Sequence, residues 1–229
     1  MIQVTLPQPP VNYETAVRAP GIAFLTGNPH PTRDDWDNHS YWRAIHGYLH
    51  GELRGICAYC ASYTPRRARA VSVDHSSIDH FVPKSHPPHA QAYEWTNFRL
   101  ARSRLNHRKA NFRDVLDPCA ISNGWFRLSF VTFSLSPDST LSGSQQQQVR
   151  DTIVRLGLNT DDGYVTERAR AVFRYADGKL PFAELTRLYP FVATEITAQN
   201  FDVTHLPRFK MRLANPQFRA VLIRQGWVA

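Results

Sequence analysis

The sequence predicts an α+β protein with its chemistry concentrated in the middle of the chain. Three observations predict it. Apolar residues recur at helical spacing from Val149 onward. Residues 124–135, GWFRLSFVTFSL, alternate in part and are dense in aromatic and β-branched side chains, as a strand or hairpin is. Between residues 54 and 115 such periodicity gives way to histidine, arginine and isolated short motifs. The 229 residues are enough for one ordinary domain or a domain with an appendage.

The elements follow in order. Residues 1–35 carry Pro7, Pro9, Pro10, Pro20, Pro29 and Pro31 and read as an extended arm lying across a body. A helix is expected from Trp36 to about Leu53, capped by Asp34 or Asp35, with Trp36, Tyr41, Ile45, Tyr48 and Leu49 as its apolar face. These make an N-terminal part over 1–53, followed by a core over 54–120. The third part, 121–229, opens with the strand or hairpin. A polar loop over 136–148 then leads into a helix marked by Val149, Ile153 and Leu156 and stopped at Gly157. Val165 to Tyr175 reads as a second helix. Phe182, Leu185 and Leu188 begin a third, interrupted at Pro190 and running to Ile196. Phe209, Leu213, Phe218, Leu222 and Ile223 mark a terminal helical pair broken at Pro216.

Composition narrows the class. Hydrophobic residues are 42% and charged residues 20%, which is globular rather than disordered. No run of eighteen apolar residues exists to span a membrane, and MIQVTLPQPP does not read as a secretory signal. A cytoplasmic protein with no membrane partner is the expectation. The formal charge is +8, and only four of the 27 basic side chains are lysine; the other 23 are arginine. A planar guanidinium suits phosphate, so the bias points to a polyanionic partner. Three cysteines give no disulfide framework: Cys57 and Cys60 form a CxxC and Cys119 stands alone.

The chemistry lies in four short stretches. They are Cys57-Ala-Tyr-Cys60, Ile78-Asp79-His80-Phe81-Val82-Pro83-Lys84, Glu94-Trp95-Thr96-Asn97-Phe98-Arg99-Leu100, and Asn106-His107-Arg108-Lys109. Each is weak alone, and a second DH pair stands at Asp74-His75. Their order and spacing are what is rare: DHxxPK, then WxNxxL, then NxxK.

This pattern resembles the HNH endonucleases, whose ββα-metal core carries a first histidine on a β-hairpin and a last histidine or asparagine on the following helix. The resemblance covers roughly residues 55–112. It implies His80 as the general base, Asp79 and Asn106 as ligands of a catalytic Mg²⁺ or Mn²⁺, Asn97 as the middle asparagine, and Lys109 as the end of the NxxK. The ICAYC segment and the later TIxRLGLN, Thr152 to Asn159, are also similar to the HNH subunit of Septu-type and retron-associated bacterial anti-phage systems. That likeness implies an effector nuclease working beside an ATPase subunit. Many HNH proteins hold a structural zinc with a second CxxC, but the matching places here are Arg102 and Leu105. Either the Zn²⁺ is lost, or Cys119, His75 or His86 completes a site begun by Cys57 and Cys60.

The residue chemistry agrees with this assignment. Imidazole titrates near neutral pH and can take a proton from water. A carboxylate and an amide oxygen are hard donors that suit Mg²⁺ or Mn²⁺. Asp79 and His80 are adjacent, so both can serve one cleft only if the strand ends or bends there. Asn97 reads as a brace for the hairpin loop. Arg99, Arg102, Arg104, Arg108 and Lys109 are the expected contacts to a nucleic-acid backbone, with DNA favoured as the polymer, and Arg66, Arg67 and Arg69 form a second basic cluster. The alternative function is a nucleic-acid-binding or scaffolding subunit without catalysis.

Overall fold

The computed structural model describes residues 1–67, 74–160 and 163–202. It shows a mixed α+β architecture: a helical and looped N-terminal region, two small β-hairpins, and a largely helical C-terminal region. The chain divides into two compact units. One comprises Gln3–Tyr59 and Tyr63–Ser122; the other comprises Met1–Ile2, Cys60–Ser62 and the chain from Asn123.

In the first unit the N-terminal arm is more helical than its prolines imply. A π-helical turn, Glu14–Arg18, runs into helix α1, Ala19–Gly27. Pro20 is tolerated because it sits in the first turn, where its missing N–H would have no intrahelical partner. Gly21 lies against the Tyr93 ring, and a Cβ there would come within 2.2 Å of Tyr93 Cγ. The preceding segment is extended: Pro7 O accepts from Trp95 Nε1 at 2.8 Å and Gln8 O from the Tyr48 hydroxyl at 3.0 Å.

The single helix expected over 36–53 is three pieces. Helix α2, Arg33–Asn38, starts three residues earlier and is capped by Thr32, not by Asp34 or Asp35. Asp35 is instead the third residue of a capping box, its side chain accepting from Thr32 N. A 3₁₀ turn, Tyr41–Ile45, then leads into α3, His46–Glu52. The break is chemical. His39 O, which a continuous helix would pair with Arg43 N, accepts instead from Tyr41 N and the Tyr93 hydroxyl, each at 2.8 Å. Arg43 N turns to Ser40 O. The expected apolar face survives the break, because Trp36, Ile45 and Leu49 are buried with Tyr13, Trp42, Tyr93 and Phe98 in one core.

Against that core lies an antiparallel pair, β1 (Ser76–His80) and β2 (Phe98–Arg102), in the register Ser76↔Arg102 to His80↔Phe98. Helix α4, Ser103–Lys109, follows β2 directly.

The second unit pairs β3 (Phe126–Leu128) with β4 (Leu135–Pro137), the hairpin expected from the aromatic stretch. Four helices follow: α5 (Gly143–Leu156), α6 (Tyr164–Ala176), α7 (Phe182–Leu188) and α8 (Pro190–Ala198). Val149, Ile153 and Leu156 are buried on α5, and Gly157 ends it in the left-handed region at φ 63°. Pro190 separates α7 from α8 and opens the latter. Buried polar groups tie this unit together. Asn159 makes both amide bonds to the Leu135 backbone, Arg168 donates to Phe133 O and Leu158 O, and Glu195 accepts from Leu128 N. The terminal helical pair expected over Phe209 to Ile223 lies outside the described residues. Among the described residues no helix is long and apolar enough to cross a membrane.

Candidate active site

The NxxK spacing has a direct geometric meaning. Residues three apart share one face of a helix, and here that face lies on β1. Asn106 Nδ2 donates to Ser77 Oγ at 3.0 Å and Ile78 O at 3.1 Å. One turn on, Lys109 Nζ donates to His80 O at 2.8 Å and Asp79 Oδ1 at 3.2 Å. The start of α4 is held by Asp74, whose Oδ1 accepts from Ser103 Oγ at 2.5 Å and Arg104 N at 3.2 Å. The second DH pair therefore supplies a helix cap through its aspartate.

His80 is the last residue of β1, so the strand ends where the two adjacent side chains must part. Its ring is buried, edge-on to Trp42 at 4.6 Å between centroids and to Phe98 at 5.4 Å. Nε2 lies 3.0 Å from Ala92 O. A carbonyl can only accept, so Nε2 carries the hydrogen and Nδ1 keeps a lone pair. Burial, helped by the charge of Lys84, pushes this imidazole down to about 3. It is therefore neutral at physiological pH, and in this buried setting a weaker base than a free imidazole.

Asp79 is 2% exposed yet lines the same cleft as His80. Its Oδ2 accepts from the buried Tyr59 hydroxyl at 2.5 Å, and its Oδ1 from Lys109. Burial raises the carboxyl above its ordinary range, and Lys109 and Tyr59 work in the opposite direction. Asn97 braces the loop between the strands: its Oδ1 accepts from Val82 N at 2.7 Å, and its Nδ2 donates to Val82 O and Gln91 O at 2.9 Å each. Ala92, which fixes the histidine tautomer, is in that loop.

These groups face a cleft of about 770 Å³. Asp79, His80 and Asn106 line it, and its basic lining is Arg43, Arg66, Arg67 and Lys84. None of those four cations forms a salt bridge among the described residues. Lys84 Nζ lies 4.9 Å from the centre of the Trp42 ring and 5.9 Å from that of Trp36.

The expected backbone contacts are placed differently. Arg99 is 3% exposed and donates from Nε and Nη2 to Asp117 at 2.8 and 2.6 Å, and from Nη1 to Thr96 O and Phe98 O. Lys109 is fully buried on Asp79. Both are buried and hold the fold. Arg102 donates to Thr64 Oγ1 and Tyr63 O, tethering the loop that follows the CxxC. Arg104 and Arg108 sit on α4 and do not line the cleft. Arg66 and Arg67 of the second cluster do line it, and Arg69 lies outside the described residues. Sequence reading missed Arg43 and His46, which nothing local marks. Lys84 carried the signal, standing within DHxxPK.

Cys57 and Cys60 are buried, and neither is in a disulfide. Cys57 Sγ accepts from Arg102 N at 3.3 Å, at the place where a second CxxC would begin. Among the described residues no three His, Cys, Asp or Glu side chains group as metal ligands. An asparagine is an oxygen donor outside that set. Asn106 Oδ1 accepts no hydrogen bond from the described residues, and its amide nitrogen is already held on β1. A carboxylate has about four lone-pair sites, and Asp79 uses one on each oxygen. Asp79 and Asn106 each offer an oxygen of the hard type that divalent cations such as Mg²⁺ take.

No protein-family model matches the chain, and no curated protein matches it.

Proposed function

We propose that the chain is a metal-dependent endonuclease of the HNH type, hydrolysing phosphodiester bonds in nucleic acid, with DNA the favoured polymer. The observation that carries this reading is the histidine at the strand end. Its tautomer is set by Ala92 O, and it stands in a cleft with four cations that form no salt bridge among the described residues and with two oxygen donors. The order β1, β2, α4, with two 3₁₀ turns between the strands, supports reading this segment as a ββα-metal core.

His80 Nδ1 would take the proton of the attacking water while Nε2–H stays on Ala92 O, so the ring neither flips nor drifts as it becomes charged. Trp42 and Phe98 wall the imidazole and keep it from bulk water. Lys109 and Tyr59 hold Asp79, and the β1 backbone holds Asn106. Asp79 and Asn106 would carry Mg²⁺ or Mn²⁺, which supplies charge for the phosphate and the departing 3′ oxygen. Arg43 and Lys84 would offset the charge of the strand being cut. Asn97 is a positioning residue, acting through the loop that presents Ala92 O. The buried CxxC supplies two of the four ligands a structural Zn²⁺ needs.

The likeness to the Septu-type subunit supports a place as effector of a bacterial anti-phage system, beside an ATPase partner and in the cytoplasm. A second reading is a binding or scaffolding subunit without catalysis. The observation favouring it is the Asp79 carboxylate already neutralised by Lys109. Plasmid, linear duplex, single-stranded DNA and RNA, each incubated with the chain in EDTA, Mg²⁺ or Mn²⁺, separate the two. Cutting only with the divalent ion supports the nuclease. Binding without cutting, persisting when the ATPase partner is added, supports the second reading.

A further inference from the structure

The cleft has two ends. One is the His80 end, with Lys84 and Arg43. The other lies at the start of β1, where Ser76, His75, His46 and Arg66 meet. His46 Nε2 is 2.8 Å from Ser76 Oγ, which fixes the ring. Arg66 lies flat on helix α3 over Gly47: a Cβ at that position would be 2.9 Å from Arg66 Nη2 and 3.0 Å from Cζ. Glycine is what lets the guanidinium sit there. His75 is exposed and immediately precedes Ser76. Burial and the neighbouring charges of His50, Arg66 and His75 hold His46 below its ordinary value, so it serves as a neutral hydrogen-bonding group between cations. Arg66 has no acidic partner among the described residues. The catalytic scheme uses none of these groups.

Four residue steps separate Ser76 from His80, about 13 Å at ~3.3 Å per step. The ~3.4 Å rise per nucleotide is measured along the duplex axis; neighbouring phosphates wind around it and lie roughly twice as far apart, so that span is on the order of two nucleotides. We propose that Arg66, His75 and His46 form a second phosphate subsite that holds the same strand about two nucleotides from the bond cut at His80. The site thereby measures out a minimum length of chain. It favours cutting within a strand over removal of a terminal nucleotide. This rests on reading the cleft as a nucleic-acid site, and the test below keeps the two apart.

The experiment is binding of labelled oligodeoxynucleotides from about two to about ten nucleotides long, by fluorescence anisotropy in EDTA, to the full chain and to Arg66→Gln and Arg66→Gln/His75→Gln. Both substitutions are at exposed positions, and circular dichroism checks the fold. Wild-type affinity should climb with length to about four nucleotides and then level. The double variant should level earlier, bind the longer strands roughly tenfold more weakly, and lose about one from its slope of log affinity against log salt. Variants that match wild type at every length with the same slope would overturn the subsite, as would wild-type affinity that does not depend on length. Parallel incubations in Mg²⁺ score cutting. Cutting with no effect of the variants removes the subsite alone. Length-dependent binding lost in the variants, with no cutting under any condition, keeps the subsite and removes the nuclease.

Discussion

Replacing Lys109 with methionine keeps most of its stem and removes one charge from the interior. Nζ is 3.2 Å from Asp79 Oδ1, with the lysine side chain fully buried and the aspartate 3% exposed. At an effective dielectric of about 20, that separation corresponds to an attraction of about 5 kcal/mol. The variant also strips His80 O of a donor. What remains is a buried carboxylate supported by Tyr59 alone, and removing one partner of such a pair costs roughly 3–5 kcal/mol. For a chain of this size the midpoint of thermal unfolding should fall by roughly 6–20 °C. Thermal and urea unfolding at neutral pH measure the loss. Asp79→Asn/Lys109→Met should recover a large part of it, because no unpaired charge is then left inside. A Lys109→Met protein within about 1 kcal/mol of wild type would refute the reasoning, since it would mean that Asp79 is not held as a buried anion by this lysine.

Three other substitutions probe the same unit. Gly21→Ala drives a methyl into the Tyr93 ring and should cost roughly 1–3 kcal/mol by overpacking, despite alanine's better helix propensity; a stabilised variant would show that α1 does not press on Tyr93. Asn97→Ala removes both bonds to Val82 and the bond to Gln91, and should cost roughly 2–4 kcal/mol; hydrogen exchange at Val82 N should rise with it. Tyr59→Phe should destabilise by about 1–3 kcal/mol through the lost donor to Asp79, read from the same urea curves, and an unchanged midpoint would deny that bond a role.

What the sequence made legible depended on whether the determining interaction was local. Helix α5 was readable because Val149, Ile153 and Leu156 share one face and Gly157 closes it. The strand that ends at His80 and the helix that carries Asn106 and Lys109 were expected only through the resemblance of DH, N and NxxK to a known pattern, not from periodicity. The break between α2 and α3 was hidden, since it depends on Tyr93 taking His39 O across 54 residues of chain. The same holds for the basic contacts. A run of arginines with no acid between them looks like a solvated stripe, but Arg99 is buried, with its guanidinium held by Asp117, 18 residues further along the chain. Lys109 faces inward because it is three residues from Asn106 on the face that meets β1. The cations that do line the cleft come from separate segments, Arg43 before α3, Arg66 and Arg67 after the CxxC, and Lys84 after β1, so no local run announces them.

The central claim is that His80, neutral and held through Nε2, is the proton acceptor of a phosphodiester hydrolysis. Single-turnover cleavage by His80→Ala beside wild type, in Mg²⁺ and in EDTA, tests it most directly. Wild type should cut only with the metal, and the variant should lose roughly 10²–10⁴-fold in rate with nucleic-acid binding retained. Cutting that proceeds at the wild-type rate in His80→Ala would contradict it.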